Sequence, residues 1–136
     1  MSHSYQVYPI GWVRINDTAA RIDIDPAYRD ALLGLDGFSH ILVYFWFHEN
    51  DTPEDRRRLQ LHPRRNPQNP LTGVFATHAP VRPNLIGTTV CRVTSIVGGT
   101  IHIDSIDAHH GSPVIDIKCY IPEKIDPADV RLPDWV

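Results

Sequence analysis

Side chains capable of binding chemistry concentrate in three segments, each next to glycine or proline at the end of an apolar run. They are residues 47–49, 73–87 and 107–118. Loops at strand ends often carry binding groups because a rigid scaffold fixes their positions. Pro80 and Pro83 stiffen the middle segment, which lowers the entropy lost when a loop orders around a ligand. The sequence therefore predicts a ligand pocket where these segments meet.

Metal binding is the first chemistry to weigh, since the chain has eight histidines. His102, Asp104, His109 and His110 lie close together and are residue types that zinc accepts. No pair shows the H-x-x-x-H spacing of a helical site, and the cysteines do not join the group. His102 and Asp104 share one strand face, which a solvated barrel exterior explains equally well. We predict no metal site.

Other common catalytic motifs are absent from the sequence. There is no G-x-S-x-G, and no serine or cysteine has an obvious basic partner. The phosphate-binding patterns G-x-x-x-x-G-K-[ST] and G-x-G-x-x-G are absent too. The residues alone predict a pocket but not a reaction.

Five of the thirteen basic side chains lie within ten residues, although the net charge of the chain is −3. They are Arg56, Arg57, Arg58, Arg64 and Arg65. Such a run is usually a solvated face. The alternative is a local patch that contacts phosphates of RNA, because a basic cluster can attract a polyanion even to an acidic protein.

Strand patterns dominate the elements that must position these residues. Residues 21–24 and 100–104 alternate polar and apolar side chains, which is typical of half-buried strands. Gly98-Gly99, between Val97 and Thr100, favours a two-residue hairpin turn. The run at 41–47 is apolar throughout and predicts a strand buried on both faces.

Helical signals are few. One short helix is predicted over residues 27–33, capped by Asp25 and ended by Gly34. Residues 49–70 are rich in proline, arginine and asparagine without periodicity, so we expect a long loop. Residues 74–76 begin like a buried strand.

The composition limits the class of protein. A chain of 136 residues, 42% apolar and 21% charged, fits one globular domain. No apolar run approaches the about 20 residues that span a bilayer, and we expect no secretory signal. We predict a mainly β protein: a single compact β-barrel domain with one short helix and a long Pro/Arg-rich loop. Its core would cover about 5–122, followed by an extended C-terminal arm at 123–136.

The two cysteines, Cys91 and Cys119, are isolated in apolar strand-like stretches, without C-x-x-C spacing. We expect both to be small buried side chains without chemistry. A reducing, cytoplasmic location is the simplest interpretation.

Across residues 8–122 the chain resembles the TsaA-like family, whose best-known members are the TrmO tRNA methyltransferases. The segments that carry the resemblance are GLDGFSH (34–40), FWFH (45–48), HPR (62–64), GVFAT (73–77), RPN (82–84) with IG (86–87), and GSPVIDIK (111–118).

The resemblance implies an all-β barrel that binds S-adenosylmethionine and acts as a homodimer. Its expected reaction is methylation of the exocyclic nitrogen of a threonylcarbamoylated adenosine in tRNA. Two alternatives stay open. The methyl acceptor can be a small molecule, or the chain can be a non-catalytic module that binds S-adenosylmethionine or a nucleotide.

The resemblance also implies site residues. Its cofactor contacts fall on His48, Glu49, His78, Thr88, Ile106, Asp107, Ala108 and His109. Further matches to polar landmarks of the family are Arg14, Arg82, Asn84, Asp116 and Lys118. Phe75 or Phe47 can flank the adenine ring of the cofactor, and both are more often core residues.

Two carboxylates are candidates for the general base. The hydrogen on the acceptor nitrogen must leave at or near methyl transfer, and Asp116 or Asp107 suits this role if the fold buries it. The alternative for Asp116 is a structural one, in which it pairs with Lys118 or Arg82 and fixes the corner.

The sequence departs from the family at several positions, two of them in the middle segment. His78 stands where relatives typically have arginine, and Leu85 stands where they have proline. Because histidine lacks the permanent, bidentate charge of arginine, we expect a rearranged cofactor contact near His78 and allow for a different acceptor.

Overall fold

A computed structural model describes residues 2–136 and contains eight strands. Their bounds are β1 Gly11–Ile15, β2 Ala20–Ile24, β3 His40–Trp46, β4 Gln60–Leu61, β5 Thr72–Gly73, β6 Ile86–Val97, β7 Thr100–Ile103 and β8 Pro113–Cys119. Six of them close into an antiparallel barrel in the order β1-β2-β7-β6-β3-β8, and β4 pairs with β5 outside it. The predicted mainly β barrel is confirmed.

The core is the inside of the barrel. Val13, Ile22, Ile41, Val43 and Ile101 are fully buried there. Branched side chains suit strands because their restricted rotamers pack well on a pleated surface. Burial of each contributes roughly 1.5–3 kcal/mol. Alternation then sends their sequence neighbours to the outer face, which solvent reaches.

Strand β3 differs from its prediction. Ile41 and Val43 point into the core, whereas Leu42 and Tyr44 are only half-buried. The expectation of burial on both faces is wrong, because the outer face is covered only by long side chains such as Lys118, whose Nζ lies 5.8 Å from the Tyr44 ring centroid. In a barrel, an apolar run does not require a second buried face.

The hairpin between β6 and β7 is confirmed. Val97 pairs with Thr100 across the turn, and Gly98 adopts a φ of 60°. This is the left-handed region that glycine enters without steric cost.

The predicted short helix is present as a 3-10 helix over Pro26–Leu32. The Asp25 carboxylate accepts a hydrogen bond from the Ala27 backbone N–H at 2.9 Å, as the cap prediction requires. Gly34 follows with a φ of 86°.

Residues 49–70 are more ordered than the predicted loop. They contain helix α1, Pro53–Arg57, and a 3-10 turn at Pro63–Arg65. The Thr52 hydroxyl caps α1 by accepting from the Asp55 N–H at 3.1 Å. These elements escaped the sequence prediction because each is too short to produce an apolar period.

The chain after β8 is mostly extended. Residues 120–136 contain no strand, and one 3-10 turn, Pro127–Asp129, interrupts them. Most of their side chains are exposed, and Trp135 is half-buried. Within residues 2–136, no helix has the length and apolar character to cross a bilayer.

Gly87 of β6 lies where β6 and β3 approach closely, and its replacement by alanine tests that packing. A Cβ at Gly87 would lie 2.5 Å from Cζ of Phe45 and 2.7 Å from Cζ of Phe47. The rings of Phe45 and Phe47 must shift to admit this Cβ. We therefore expect Gly87→Ala to lower the free energy of unfolding by about 1–3 kcal/mol. Urea denaturation followed by tryptophan fluorescence measures this change.

Gly73→Ala is the matched control for Gly87→Ala. The nearest atom to a Cβ at Gly73 is 3.9 Å away, and its φ of −66° suits alanine. We expect unchanged stability or a gain of about 0.4–1 kcal/mol. Equal unfolding free energies for the two variants would contradict the packing argument.

Candidate functional site

One end of the barrel opens into a cavity of about 350 Å³. Three segments form its wall, namely the end of β3 with the following turn, the corner before β6, and the loop between β7 and β8. These are the three segments that the sequence analysis selected. The structure therefore brings them to one place.

Aromatic rings form the apolar floor of the cavity. Phe45 is buried and Phe47 is half-buried, with ring centroids 5.3 Å apart and planes at 80°. The edge-to-face arrangement is a favourable one for such rings. Gly87 lies against both rings and also lines the cavity. A flat ring or other apolar group of a ligand can pack here.

Carboxylates and imidazoles provide the polar wall. His48 and Glu49 come from the 3-10 turn His48–Asn50 that directly follows β3, and both line the cavity. The Glu49 carboxylate Oε2 contacts Nδ1 of His109 from the opposite loop. This contact joins two loops that are sixty residues apart in the chain.

The loop between β7 and β8 is fixed at several points. The buried Ser112 donates from its hydroxyl to the carbonyl of His109 at 2.7 Å. Nδ1 of His110 accepts from the backbone N–H of Ile15 at 2.9 Å. Asp107 and Ala108, both predicted site residues, line the cavity from this loop.

The corner before β6 is held by an arginine. Nη1 of Arg82 donates to the carbonyls of Thr77 at 3.1 Å and Ala79 at 2.9 Å. Arg82 lines the cavity as well, together with Thr88 of β6. Its guanidinium has five N–H donors, so other donors remain for a ligand. The predicted pairing of Arg82 with Asp116 does not occur.

The two departures from the family pattern lie in different environments. His78 is exposed and lines the cavity. Leu85 is completely buried, and its carbonyl accepts from the Phe47 N–H at 2.8 Å. His78 can therefore contact a ligand directly, whereas the buried Leu85 cannot.

The structure corrects the sequence prediction for Phe75. Residues Val74–Ala76 form a 3-10 turn, and not a buried strand. Val74 enters the core, which leaves Phe75 83% exposed and outside the cavity lining. The predicted ring contact in this cavity can be made by Phe47 and not by Phe75.

Asp116 and Lys118 also lie outside the cavity lining. The register of β8 against β3 shifts between Tyr44 and Phe45, so that Val114 faces the core while Asp116 pairs with Tyr44 on the outer face. Asp116 is exposed and makes no salt bridge with Lys118. Of the two predicted bases, only Asp107 lines the cavity. Asp107 is exposed, so the burial that was the condition for its role as a base is not met.

Three more predicted contacts lie away from the lining. Arg14 of β1 is 3.8 Å from the Asp23 carboxylate, Asn84 is exposed at the corner, and Ile106 packs against the barrel core. Conversely, Asn50, Pro80 and Ser112 line the cavity and were not predicted. Ser112 lies inside the segment GSPVIDIK that carries the family resemblance, and the sequence analysis did not predict that its side chain is buried.

The arginine run divides into three groups. Arg56 supports the fold, since its Nε donates to the carbonyl of Pro83 at 3.0 Å and its guanidinium lies 5.6 Å from the Trp46 ring centroid. Arg57 is exposed on α1. The remaining members, Arg58, Arg64 and Arg65, line a second cavity of about 590 Å³.

Neither cysteine is placed for nucleophilic chemistry. Cys91 and Cys119 are free thiols, and Cys91 is buried in the barrel. Burial raises the pKa of the Cys91 thiol to about 11, against a smaller lowering by a hydrogen bond with Thr89. Within residues 2–136, no three His, Cys, Asp or Glu side chains are grouped to hold a metal ion.

A closed β-barrel with a polar, aromatic-floored cavity at one end defines a small-molecule-binding barrel protein. Comparison with known proteins narrows this class. Residues 4–126 match the tRNA-methyltransferase O N-terminal domain, and the chain belongs to that family.

Similar proteins carry related names. The chain is 45% identical over 123 residues to a probable S-adenosyl-L-methionine-binding protein of Pyrococcus horikoshii, covering 90% of this chain and 87% of that protein. It is 43% identical over 103 residues to the human tRNA (adenine(37)-N6)-methyltransferase, covering 76% of this chain and 23% of the human protein.

The fold also matches a solved structure, that of TrmO from Pseudomonas aeruginosa. The TM-score is 0.74 at 29% identity, and the match covers 99% of this chain and 63% of that one. This chain therefore spans less than two thirds of the TrmO chain that it matches, and about a quarter of the human enzyme.

Proposed function

We propose that the chain is an S-adenosylmethionine-dependent methyltransferase that binds its cofactor in the barrel-end cavity. The acceptor is the exocyclic nitrogen of an adenosine in tRNA, in its threonylcarbamoylated form. One observation carries the proposal: His48, Glu49, Thr88, Asp107 and His109, remote in sequence, line one cavity. The name of the human relative supports N6 of an adenine in tRNA as the acceptor atom, and the name of the Pyrococcus relative supports the cofactor. The threonylcarbamoylated form is what the family resemblance implies.

The cavity fits the chemistry of this cofactor. Its volume of about 350 Å³ lies within the roughly 300–1,000 Å³ of small-molecule sites. Phe47 offers an apolar face to the adenine ring, and the Glu49 carboxylate can accept from the ribose diol or the amino group. Arg82 offers its remaining N–H donors to the cofactor carboxylate, a charge-assisted hydrogen bond.

When bound, the cofactor supplies a methyl group on a sulfonium cation. The protein contributes by holding the acceptor nitrogen in line with that methyl group, since alignment removes much of the barrier. The Asp107 carboxylate takes the proton from the exocyclic nitrogen at or near methyl transfer. Asp107 is assigned this role because it lines the cavity, and not because of burial, since it is exposed. The contact between His109 and Glu49 joins the loop between β7 and β8 to the turn after β3, and so fixes the relative position of these two parts of the cavity wall.

Two alternatives each rest on a specific observation. A small-molecule acceptor is favoured by His78, which places a histidine in the cavity wall, and by the net charge of −3. A non-catalytic module is favoured by the Pyrococcus relative, whose name describes cofactor binding alone. Both alternatives use the same cavity.

Label transfer tests the proposed reaction. The purified protein is incubated with methyl-labelled S-adenosylmethionine and bulk tRNA, and separately with a metabolite extract. We expect label in tRNA, and nucleoside analysis should place it on the exocyclic nitrogen of a threonylcarbamoylated adenosine. Label only in the extract identifies a small-molecule acceptor. Cofactor binding by calorimetry without transfer to either pool would leave only the binding module.

The position of the base is tested with two matched carboxylate variants. Asp107→Asn keeps the shape of the side chain and removes its capacity to accept a proton. We expect the methyl-transfer rate to fall by about 10²–10⁴-fold. Asp116→Asn, on the outer face of β8, should stay close to the wild-type rate. A larger loss in Asp116→Asn than in Asp107→Asn would assign the base to Asp116 instead.

The proposed enzyme is a homodimer, as its family resemblance implies. A small apolar patch on the outer face supports this, since Leu42 of β3 pairs with Val90 of β6 and Val90 is 50% exposed. We expect light scattering at micromolar concentration to give about twice the 15.4 kDa of one chain. Val90→Glu should weaken the dimer, whereas Val97→Glu, at the hairpin end of β6, should not. A wild-type mass of 15.4 kDa would refute the dimer.

A further inference from the structure

The second cavity, of about 590 Å³, lies between the 58–67 segment and the corner at 79–81. Asn50 and Pro80 line both cavities, so the two cavities are neighbours. A ligand in the second cavity can therefore be continuous with a molecule that reaches the first.

Positive charge distinguishes the second cavity. Arg58, Arg64 and Arg65 line it together with His62, and its lining contains no Asp or Glu. Across residues 2–136, none of the three arginines forms a salt bridge or donates a side-chain hydrogen bond. Arg56, only a few residues away, is by contrast occupied by Asp51 and Pro83. The cavity thus brings together three arginines whose side chains are not engaged by the fold.

The backbone that carries two of these arginines is strained. Arg64 has φ 58° and ψ 24°, and Arg65 has φ 55°. Outside glycine, positive φ occurs in only a few per cent of residues, and two in succession are costly for L-residues. Neither position carries the glycine or asparagine that would relieve the strain. Strain of this kind is common in segments that clamp ligands.

Local contacts hold the strained turn in place. Pro63 is buried, and its carbonyl accepts from Nδ2 of Asn69 at 2.9 Å and from the Asn66 N–H at 3.2 Å. Nδ1 of His62 donates to the Asn69 carbonyl at 2.7 Å, because a carbonyl can only accept. The backbone of the turn is thereby preorganised, so that binding has to order only the arginine side chains.

We propose that the second cavity is a phosphate-binding subsite, in which Arg58, Arg64 and Arg65 hold backbone phosphates of the RNA that presents its base to the first cavity. Planar guanidinium groups match phosphate oxygens in bidentate geometry. This inference rests on the proposed function and adds to it where the acceptor is held. A phosphate of a small nucleotide acceptor would use the same chemistry, and the experiment below separates the two sources.

Glycine variants at the strained positions test the proposal. Arg64→Gly and Arg65→Gly remove the cation and also relieve the positive-φ strain. We expect both to melt no lower than the wild type and yet to bind a fluorescein-labelled anticodon stem-loop RNA about tenfold more weakly each. The slope of log affinity against log salt should fall by about 0.7–0.9 per arginine. A role confined to stabilising the turn would not produce this combination.

Two further variants complete the design. Arg58→Ala removes a cavity arginine whose φ is −73° and which lies outside the strained turn, so it tests the site even if the turn variants misfold. We expect the same loss of affinity. Arg57→Ala removes the same charge from a neighbouring exposed position outside the cavity lining, and it should retain most of the binding.

The probes separate the sources of phosphate. Stem-loop RNA, AMP and inorganic phosphate are each titrated alone. Weakening of RNA binding in the cavity variants supports the backbone subsite, whereas dependence of AMP or phosphate binding alone on these arginines assigns the cavity to a small phosphorylated ligand. Equal effects of Arg57→Ala and the cavity variants, or no binding of any probe, would overturn the proposal. Calorimetry with S-adenosylmethionine alone tests the cofactor site separately, so its failure is distinguishable from failure here.

Discussion

The close approach of β6 to β3 at Gly87 is the contact on which the barrel-end site depends. Only a hydrogen atom fits between the β6 backbone and the rings of Phe45 and Phe47. The two rings can therefore meet edge to face and close the core beneath the cavity. The Phe47 N–H bonds to the Leu85 carbonyl beside them, which joins the end of β3 to the chain that enters β6. The polar turn after β3 and the start of β6 are thereby fixed at one barrel end.

Arginine plays two physical roles in this chain, and its immediate partners distinguish them. Arg82 and Arg56 donate to backbone carbonyls. They thereby hold the corner between the 3-10 turn Val74–Ala76 and β6. These bonds satisfy carbonyls in a loop that contains prolines, which lack N–H donors of their own. Arg58, Arg64 and Arg65 have no such partners among residues 2–136 and face a cavity. The sequence alone places Arg56 in the same basic run as Arg58, Arg64 and Arg65.

Much of the barrel was predictable, because alternation and turn chemistry are local. The β6–β7 hairpin and the capped helix after Asp25 follow from short patterns. Local patterns predicted the site only as three segments, since closure of the barrel decides which of their residues line the cavity. Individual lining residues such as His48, Glu49 and His109 came from the family resemblance. The bulge opposite Phe45 moves Asp116 to the outer face, and a 3-10 turn exposes Phe75. Both depend on long-range packing that no local pattern contains.

His78 and Leu85 show why a departure from a family pattern needs a structure to interpret it. Leu85 is enclosed in the core, so its effect on a ligand can only be indirect, through the packing below Phe47. His78 is exposed in the cavity wall, on the loop that Arg82 braces. An imidazole there offers two ring nitrogens for hydrogen bonds, where arginine would present a permanent cation with a planar fork of donors. Of these two departures, only His78 can contact a ligand directly, and selectivity for the ligand is the property that it can change while the barrel stays the same.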